Sequence, residues 1–235
     1  MEIAAYVFTG ICSLFALVKA YYSANKQYYK ELSFKTLASL AFIATGIFAL
    51  LSNRAAIGVY GLFILLGGVL GVMGDLFLGV DSLFGDAKEA FFVRVWGVVC
   101  FLLGHVSYAV AMLTAFEFKL YLIPVIFFMP VIYVIVGLTK TKIFDNKAQG
   151  SFMTLYFASL GLGVTAAINA AIVTGGSAIS VMMLLASVLF VISDSVLGFT
   201  AFSNKRVIPT SVKAWVVPVT YYAAQLLYMM TMLVF

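Results

Sequence analysis

Two aspartates sit inside apolar runs that would otherwise carry no charge. Asp194 lies in Val188–Phe202, V-L-F-V-I-S-D-S-V-L-G-F-T-A-F, and Asp75 in Leu70–Gly79, L-G-V-M-G-D-L-F-L-G. A carboxylate at the centre of a membrane helix costs about 3 kcal/mol or more, so it is seldom there without a role. The two settings match: a small residue, the aspartate, then Leu-Gly at the same spacing, in Gly74-Asp75-x-x-Leu78-Gly79 and Ser193-Asp194-x-x-Leu197-Gly198. Two carboxyls in one low-dielectric pocket suit general acid/base work, because mutual repulsion keeps one protonated while the other is ionised. The simpler alternative is a helix-end carboxylate that faces water or pairs with a loop lysine.

Other polar groups stand at similar depth. His105, in F-L-L-G-H-V-S-Y, is a proton carrier or positioning donor, or else bonds a neighbouring helix. Tyr108 is one turn on and shares its face. Thr220–Gln225, T-Y-Y-A-A-Q, puts Tyr221, Tyr222 and Gln225 near mid-membrane, where Gln225 serves as interhelical glue or as a substrate contact. Ser193, beside Asp194, joins the substrate-contacting set. Lys35, in S-F-K-T-L, either snorkels to the headgroup region or binds a lipid phosphate. Asn169 is read as packing. Asp81, Asp86, Glu89, Glu117 and Asp145 are read as solvated loop charges.

Asp75, His105, Asp194 and Gln225 are predicted to line one cavity with Tyr108 and Tyr222 in its wall. The carboxylates should lie within about 12 Å, since direct action on one small group needs separations of about 5–10 Å. There is no Gly-x-Ser-x-Gly elbow, His-Glu-x-x-His or phosphate-binding glycine loop. A serine hydrolase through Ser193 or Ser195 would have to use His105. One histidine and two cysteines, Cys12 and Cys100, support neither a metal site nor a disulfide framework. Nothing points to nucleic acid.

The elements that must hold these groups are membrane helices. The 235 residues are 64% hydrophobic and 10% charged, with a mean hydropathy of +1.13. That composition excludes a soluble domain. At about 20 apolar residues per span, the chain reads as one all-α transmembrane domain, 1–235. Its eight predicted spans are 3–22, 34–51, 55–79, 91–115, 120–138, 152–174, 178–202 and 212–234. The first is read as a retained helix and not a signal peptide. Gly67, Gly68 and Gly71 give the third span a small face for close packing.

Twelve of the fourteen basic residues, Lys19, Lys26, Lys30, Lys35, Lys88, Arg94, Lys140, Lys142, Lys147, Lys205, Arg206 and Lys213, fall on one side. Only Arg54 and Lys119 fall on the other. The positive-inside rule then puts both termini outside and the odd-numbered loops in the cytoplasm. Asp75 and Asp194 lie about 6 and 12 Å in from the cytoplasmic ends of their spans, at 1.5 Å per residue. On that depth difference, Asp194 is predicted to be the proton donor and Asp75 the ionised partner. Asp75 and Asp194 are 119 residues apart, and His105-x-x-Tyr108 and Gln225-x-x-Tyr228 are 120 apart. This spacing raises the prospect of two parallel four-helix repeats about an axis along the membrane normal.

In their order and spacing, Lys35, Gly74-Asp75-x-x-Leu78, Gly104-His105-x-x-Tyr108, Ile192-Ser193-Asp194-Ser195 and Tyr222-Ala223-Ala224-Gln225 resemble the YhhN-like lysoplasmalogenase family. The resemblance covers nearly the whole chain. It departs at Thr36, where the family often has proline after the lysine. It implies a multispan membrane ether hydrolase acting on lysoplasmalogen, a lysophospholipid, with Asp75 and Asp194 as catalytic carboxylates. The implied products are a fatty aldehyde and glycerophosphoethanolamine or glycerophosphocholine. A vinyl ether is hydrolysed by protonation of its β-carbon, attack of water on the oxocarbenium ion and collapse of the hemiacetal. That needs no metal, cofactor or covalent nucleophile. The expected location is a bacterial inner membrane. The alternative is a small proton-coupled transporter or lipid-binding membrane protein that uses the same buried acids.

Overall fold

In a bilayer the backbone N–H and C=O groups have no water to bond, so each apolar run pairs them internally as a helix. The computed structural model describes residues 1–53, 56, 58–84, 88–136, 138, 147–201 and 208–235. Its helices are α1 (Glu2–Ala24), α2 (Tyr28–Ser52), α3 (Val59–Phe84), α4 (Lys88–Ala115), α5 (Ile123–Ile126), α6 (Phe128–Val136), α7 (Lys147–Thr174), α8 (Ala178–Ala201) and α9 (Thr210–Thr231). A single 3-10 turn, Leu120–Leu122, precedes α5. Arg54, Asp86, Lys140, Lys142, Asp145, Lys205 and Arg206, used above for loop charge, lie outside the described residues. So do the side chains of Asp81, Lys88, Glu89 and Lys147.

Among the described residues, six helices are long and apolar enough to cross a membrane: α1, α2, α3, α4, α7 and α8. The predicted count of eight is not reached on that measure, for two physical reasons. The fifth predicted span, 120–138, is broken into the 3-10 turn, α5 and α6. Pro124 and Pro130 fall in this stretch, and each removes a backbone donor that a continuous helix would use. The eighth, 212–234, does form a 22-residue helix, α9, but Lys213, Tyr221, Tyr222 and Gln225 dilute its apolar character. The helices also overrun the predicted boundaries. With Thr36 in place of a proline, α2 starts at Tyr28, and the Thr36 hydroxyl bonds back to Leu32 O at 3.0 Å. Helix α3 runs on to Phe84.

Contacts between α1 and α2, α2 and α3, α3 and α4, α4 and α7, α7 and α8, α8 and α9, and α9 and α1 close a ring. Helix α9 also reaches α2 and α3, whereas α5 and α6 pack on α7. The polarity of a soluble protein is inverted. Ile3, Leu14, Leu62, Leu103, Leu155 and Leu185 face outwards, while Ser39, Asp75, His105, Ser193, Asp194 and Gln225 are buried. Lipid accepts the first group at no penalty, and the second must find partners inside.

Glycines set how closely the helices approach. A Cβ on Gly67 would sit 2.6 Å from the Tyr108 ring, on Gly71 2.4 Å from the Gln225 amide, and on Gly74 2.8 Å from the Phe101 ring. The small face of α3 therefore seats three side chains of α4 and α9. Across the bundle, residues 120 apart in sequence meet. Tyr108 stacks on Tyr228 with centroids 4.1 Å apart, and Phe101 meets Tyr221 edge-on at 5.7 Å. Asn169, read as packing, has a second duty. Its side chain accepts from Lys119 N at 2.8 Å and donates to Glu117 O at 3.0 Å, which ties down the loop after α4.

The close approach of α7 to α5 gives a direct test. A Cβ on Gly161 would meet Ile126 O at 2.3 Å, whereas one on Gly163 meets nothing within 4 Å. Gly161→Ala should destabilise the detergent-solubilised protein by about 1–3 kcal/mol. Gly163→Ala should be neutral or slightly stabilising, because it gains helix propensity of up to about 1 kcal/mol. Thermal unfolding of the two variants checks this, and equal melting temperatures would reject the contact.

Candidate active site

A cavity of about 320 Å³ opens at the end of the bundle where α1, α3 and α8 finish and α2, α4 and α9 begin. Asp75 and Asp194 both line it, with Lys35, Ser193, Tyr221 and Tyr222. Asp75 is 3% exposed and Asp194 4%. The helices that carry them, α3 and α8, both contact α9, and α9 contributes Pro218 to the wall. A proline inside a helix leaves the carbonyl four residues earlier without its N–H. That residue, Ala214, also faces the cavity, where a freed carbonyl is tolerated in a membrane protein.

Each carboxylate has its own set of partners. Asp75 Oδ1 is 3.3 Å from Lys35 Nζ, and its Oδ2 accepts from the Ser39 hydroxyl at 2.6 Å. Ser39 follows Lys35 by one turn on α2, so one helix face supplies both. Tyr222 completes the group: its hydroxyl donates to Lys35 O at 3.1 Å and lies 3.3 Å from Ser39 Oγ. Asp194 Oδ2 lies 2.8 Å from His105 Nε2 on α4 and accepts from the Tyr156 hydroxyl of α7 at 2.5 Å. The His105 ring packs edge-on against Phe190 at 4.8 Å, which fixes its plane.

The remaining predicted residues lie behind this wall. His105 touches Asp194 from the side away from the large cavity; with Tyr108 it lines a separate void large enough for about one water. Gln225 is 1% exposed and lines neither space. Its amide donates to Tyr221 OH at 3.0 Å, and its carbonyl accepts from Tyr108 OH. Tyr221 in turn donates to Gly71 O at 3.3 Å. The prediction that His105, Gln225 and Tyr108 line one cavity with the aspartates is therefore corrected. They form the layer that holds Tyr221 and Asp194 in place. The reason is rotational: the α3 glycines draw Gln225 and Tyr108 inward against the helix backbone, out of reach of the open space.

Helix α3 is described to Phe84, past the predicted end of its span at Gly79, and the apolar part of that helix runs to Val80. Lys35 is committed to Asp75 and is not presented to the membrane surface. The sequence reading also missed Ser39 and Tyr156. Ser39 had a signal, its position one turn from Lys35. Tyr156 had none, since its stretch of α7 shows no polar periodicity. Among the described residues no three His, Cys, Asp or Glu side chains gather as a metal-ligand group.

Fold and site together define a polytopic helical membrane protein with two aspartates at the floor of one cavity. Residues 30–232, nearly the whole chain, match the YhhN family, and the chain belongs to it. No match to the chain is found among curated proteins or among solved structures.

The Asp75–Lys35 pair can be tested without any assay of activity. Lys35→Met leaves a buried carboxylate without its cation, which should destabilise the protein by about 3–5 kcal/mol. Asp75→Asn in the same chain should return a large part of that loss. A double-mutant cycle on thermal or denaturant unfolding measures the coupling, and additive single effects would sink the pair.

Proposed function

We infer that this YhhN family protein is a lysoplasmalogenase: it hydrolyses the vinyl ether bond of lysoplasmalogen to a fatty aldehyde and a glycerophospho-alcohol. The observation that carries the reading is that two buried carboxyls share one membrane cavity yet have different partners. The Lys35 ammonium is the counter-ion of an ionised Asp75. Asp194 is held between a phenol and an imidazole, a setting in which a carboxylic acid gives a proton to substrate and regains one through His105. The division of roles is thus the one first argued from depth, now supported by wiring. Asp194 protonates the β-carbon of the vinyl ether. Asp75 stabilises the oxocarbenium ion and activates the water that attacks it. The hemiacetal then releases the aldehyde, and the two acids return to their starting states. Tyr221, Tyr222 and Ser193 contact the substrate, and His105 and Tyr156 position Asp194.

The finer membrane reading belongs to the same proposal. The broken segment around α5 and α6 and the polar helix α9 complete eight membrane segments in two related four-helix halves. Both termini lie outside, and the cavity opens to the cytoplasmic leaflet of a bacterial inner membrane. Cysteines placed at positions 142 and 205 should then react with an impermeant reagent only after sealed cells are opened. Labelling from outside would overturn the topology.

The activity test uses one detergent-solubilised protein and no gradient. Aldehyde release from lysoplasmenyl lipid is the expected result. Asp75→Asn and Asp194→Asn should each remove nearly all turnover, because the pair acts as a unit. His105→Gln should cost less, about 10²- to 10⁴-fold. In residual activity, loss of the proton donor removes the alkaline limb of the pH profile, and loss of the ionised partner removes the acidic limb. Exchanged limbs would reverse the assignment. Near-normal turnover in either asparagine variant would reject carboxylate catalysis, and absence of turnover in the wild type would favour a proton-coupled carrier.

A further inference from the structure

Behind the wall of the large cavity, four helices each bring one polar side chain to the same small void. They are His105 of α4, Ser159 of α7, Ser187 of α8 and Tyr228 of α9, and each is more than nine-tenths buried. The void measures about 10 Å³, room for one water. Among apolar helices an unsatisfied polar atom is costly, so the hydrogen bonds still unmade around a void decide what fills it.

The protons can be followed one by one. Ser159 donates to Tyr156 O at 2.6 Å, so its oxygen offers the void an acceptor. Ser187 Oγ and Tyr228 OH lie 2.7 Å apart and use one of their two protons between them. For the other, the described residues offer Gly163 O at 3.4 Å from Ser187, and a group in the void is the better-placed acceptor. Nε2 of the His105 ring faces Asp194 Oδ2 at 2.8 Å and Tyr156 OH at 3.3 Å. Its other nitrogen, Nδ1, has no partner among the described residues. The void thus presents one donor, one acceptor and one ring nitrogen, and a buried water makes about three hydrogen bonds.

We propose that a structural water occupies this void and fixes His105 as the Nε2–H tautomer, which places the acid proton of Asp194 on the oxygen left for the cavity. The water accepts from the Ser187–Tyr228 pair and donates to Ser159. Its second proton goes to Nδ1, which is therefore bare. The hydrogen bond made by one ring nitrogen sets the state of the other, so the ring proton is on Nε2. Asp194 Oδ2 then accepts from Nε2–H as well as from Tyr156 OH at 2.5 Å. An oxygen that accepts two hydrogen bonds is the carbonyl oxygen of a carboxylic acid, and the O–H is on the other one. That other oxygen, Oδ1, has no partner among the described residues, and Asp194 lines the cavity. The opposite tautomer would aim a lone pair of Nε2 at Asp194 and draw the acid proton back to the imidazole. Ser159, Ser187 and Tyr228 are thus positioning residues that act on Asp194 through the water and His105. The use of the Oδ1 proton on a vinyl ether rests on the hydrolase reading, whereas the water and the tautomer do not.

His105 is the single histidine of the chain, so ring-¹⁵N histidine reports on this residue alone. The experiment is NMR of the full chain, so labelled, in detergent micelles. A protonated Nε2 and a bare, hydrogen-bonded Nδ1 are expected. A protonated Nδ1, in the neutral ring or in an imidazolium, would overturn the proposal. Ser159→Ala and Tyr228→Phe each remove one partner of the water and should move the Nδ1 signal towards that of a free imidazole nitrogen. Ser159→Thr keeps the hydroxyl but puts a methyl group into the void, and should shift Nδ1 in the same direction by expelling the water. An Nδ1 signal unchanged in all three variants would reject the water. Turnover of lysoplasmenyl phosphoethanolamine supplies the second arm. The variants should lower kcat by about tenfold with KM unchanged, the scale of one hydrogen bond. Unchanged kcat beside a shifted Nδ1 would reject the link to proton donation. A wild type with no turnover would reject the hydrolase reading, and the NMR arm would still decide the water and the tautomer.

Discussion

A carboxylate drawn into the apolar interior of a membrane bundle has to bring its partners with it, and the ion pair between Asp75 and Lys35 is where this chain meets that demand. An uncompensated charge there would cost several kcal/mol. Lys35 and Ser39 occupy one face of α2, and that face is turned to α3 so that both reach Asp75. Tyr222 fixes α9 to the same spot through Lys35 O. Three helices are thus held at one end of the bundle by the needs of one side chain. The cavity is the space left between them.

The glycine face of α3 makes the same arrangement possible in steric terms. Larger residues at 67, 71 and 74 would hold Tyr108, Gln225 and Phe101 away from α3. The amide of Gln225 would then lose Tyr221, which lines the cavity beside Asp75. Electrostatic demand and close packing therefore act on the same helix at neighbouring turns. Gly71 is four residues from Asp75, one helical turn along the same side. A membrane protein gains little from burying leucine against leucine, since lipid offers the same surroundings. Close approach and satisfied polar groups hold its helices instead.

How much of this could be read from sequence follows from the kind of signal each residue leaves. Asp75 and Asp194 stand out because their charge violates the local rule for an apolar run, and they do share a cavity. Lys35 was visible as a residue but not in its partner, since a cation at a span start reads as a snorkelling side chain. His105, Gln225 and Tyr108 were visible as buried polar groups. Their place behind the cavity wall depends on the rotation of α4 and α9 about their own axes, which periodicity alone does not set in a helix with few charges. Tyr156 was invisible, because a tyrosine in an aromatic-rich span has no mark that separates it from packing. The broken fifth segment was partly legible in Pro124 and Pro130, but membrane helices often absorb a proline, so the break needed the tertiary context.

The two half-sites are alike in sequence and unlike in wiring, and that difference bears on the kind of chemistry they suit. Gly71 and Phe190 stand 119 residues apart, as Asp75 and Asp194 do. At the first position the absent side chain lets Gln225 and Tyr221 close on α3. At the second, a phenylalanine packs edge-on against the His105 ring. A lysine answers one carboxylate, and a histidine with a tyrosine answers the other. Alternating passage of a proton through related halves asks for sites of similar affinity on both sides. General acid/base catalysis asks for the opposite, one group that parts with its proton and one that stays ionised. Two aspartates in matched sequence settings are made unequal by what the neighbouring helices place against them, and unequal partners are what an acid and a base require.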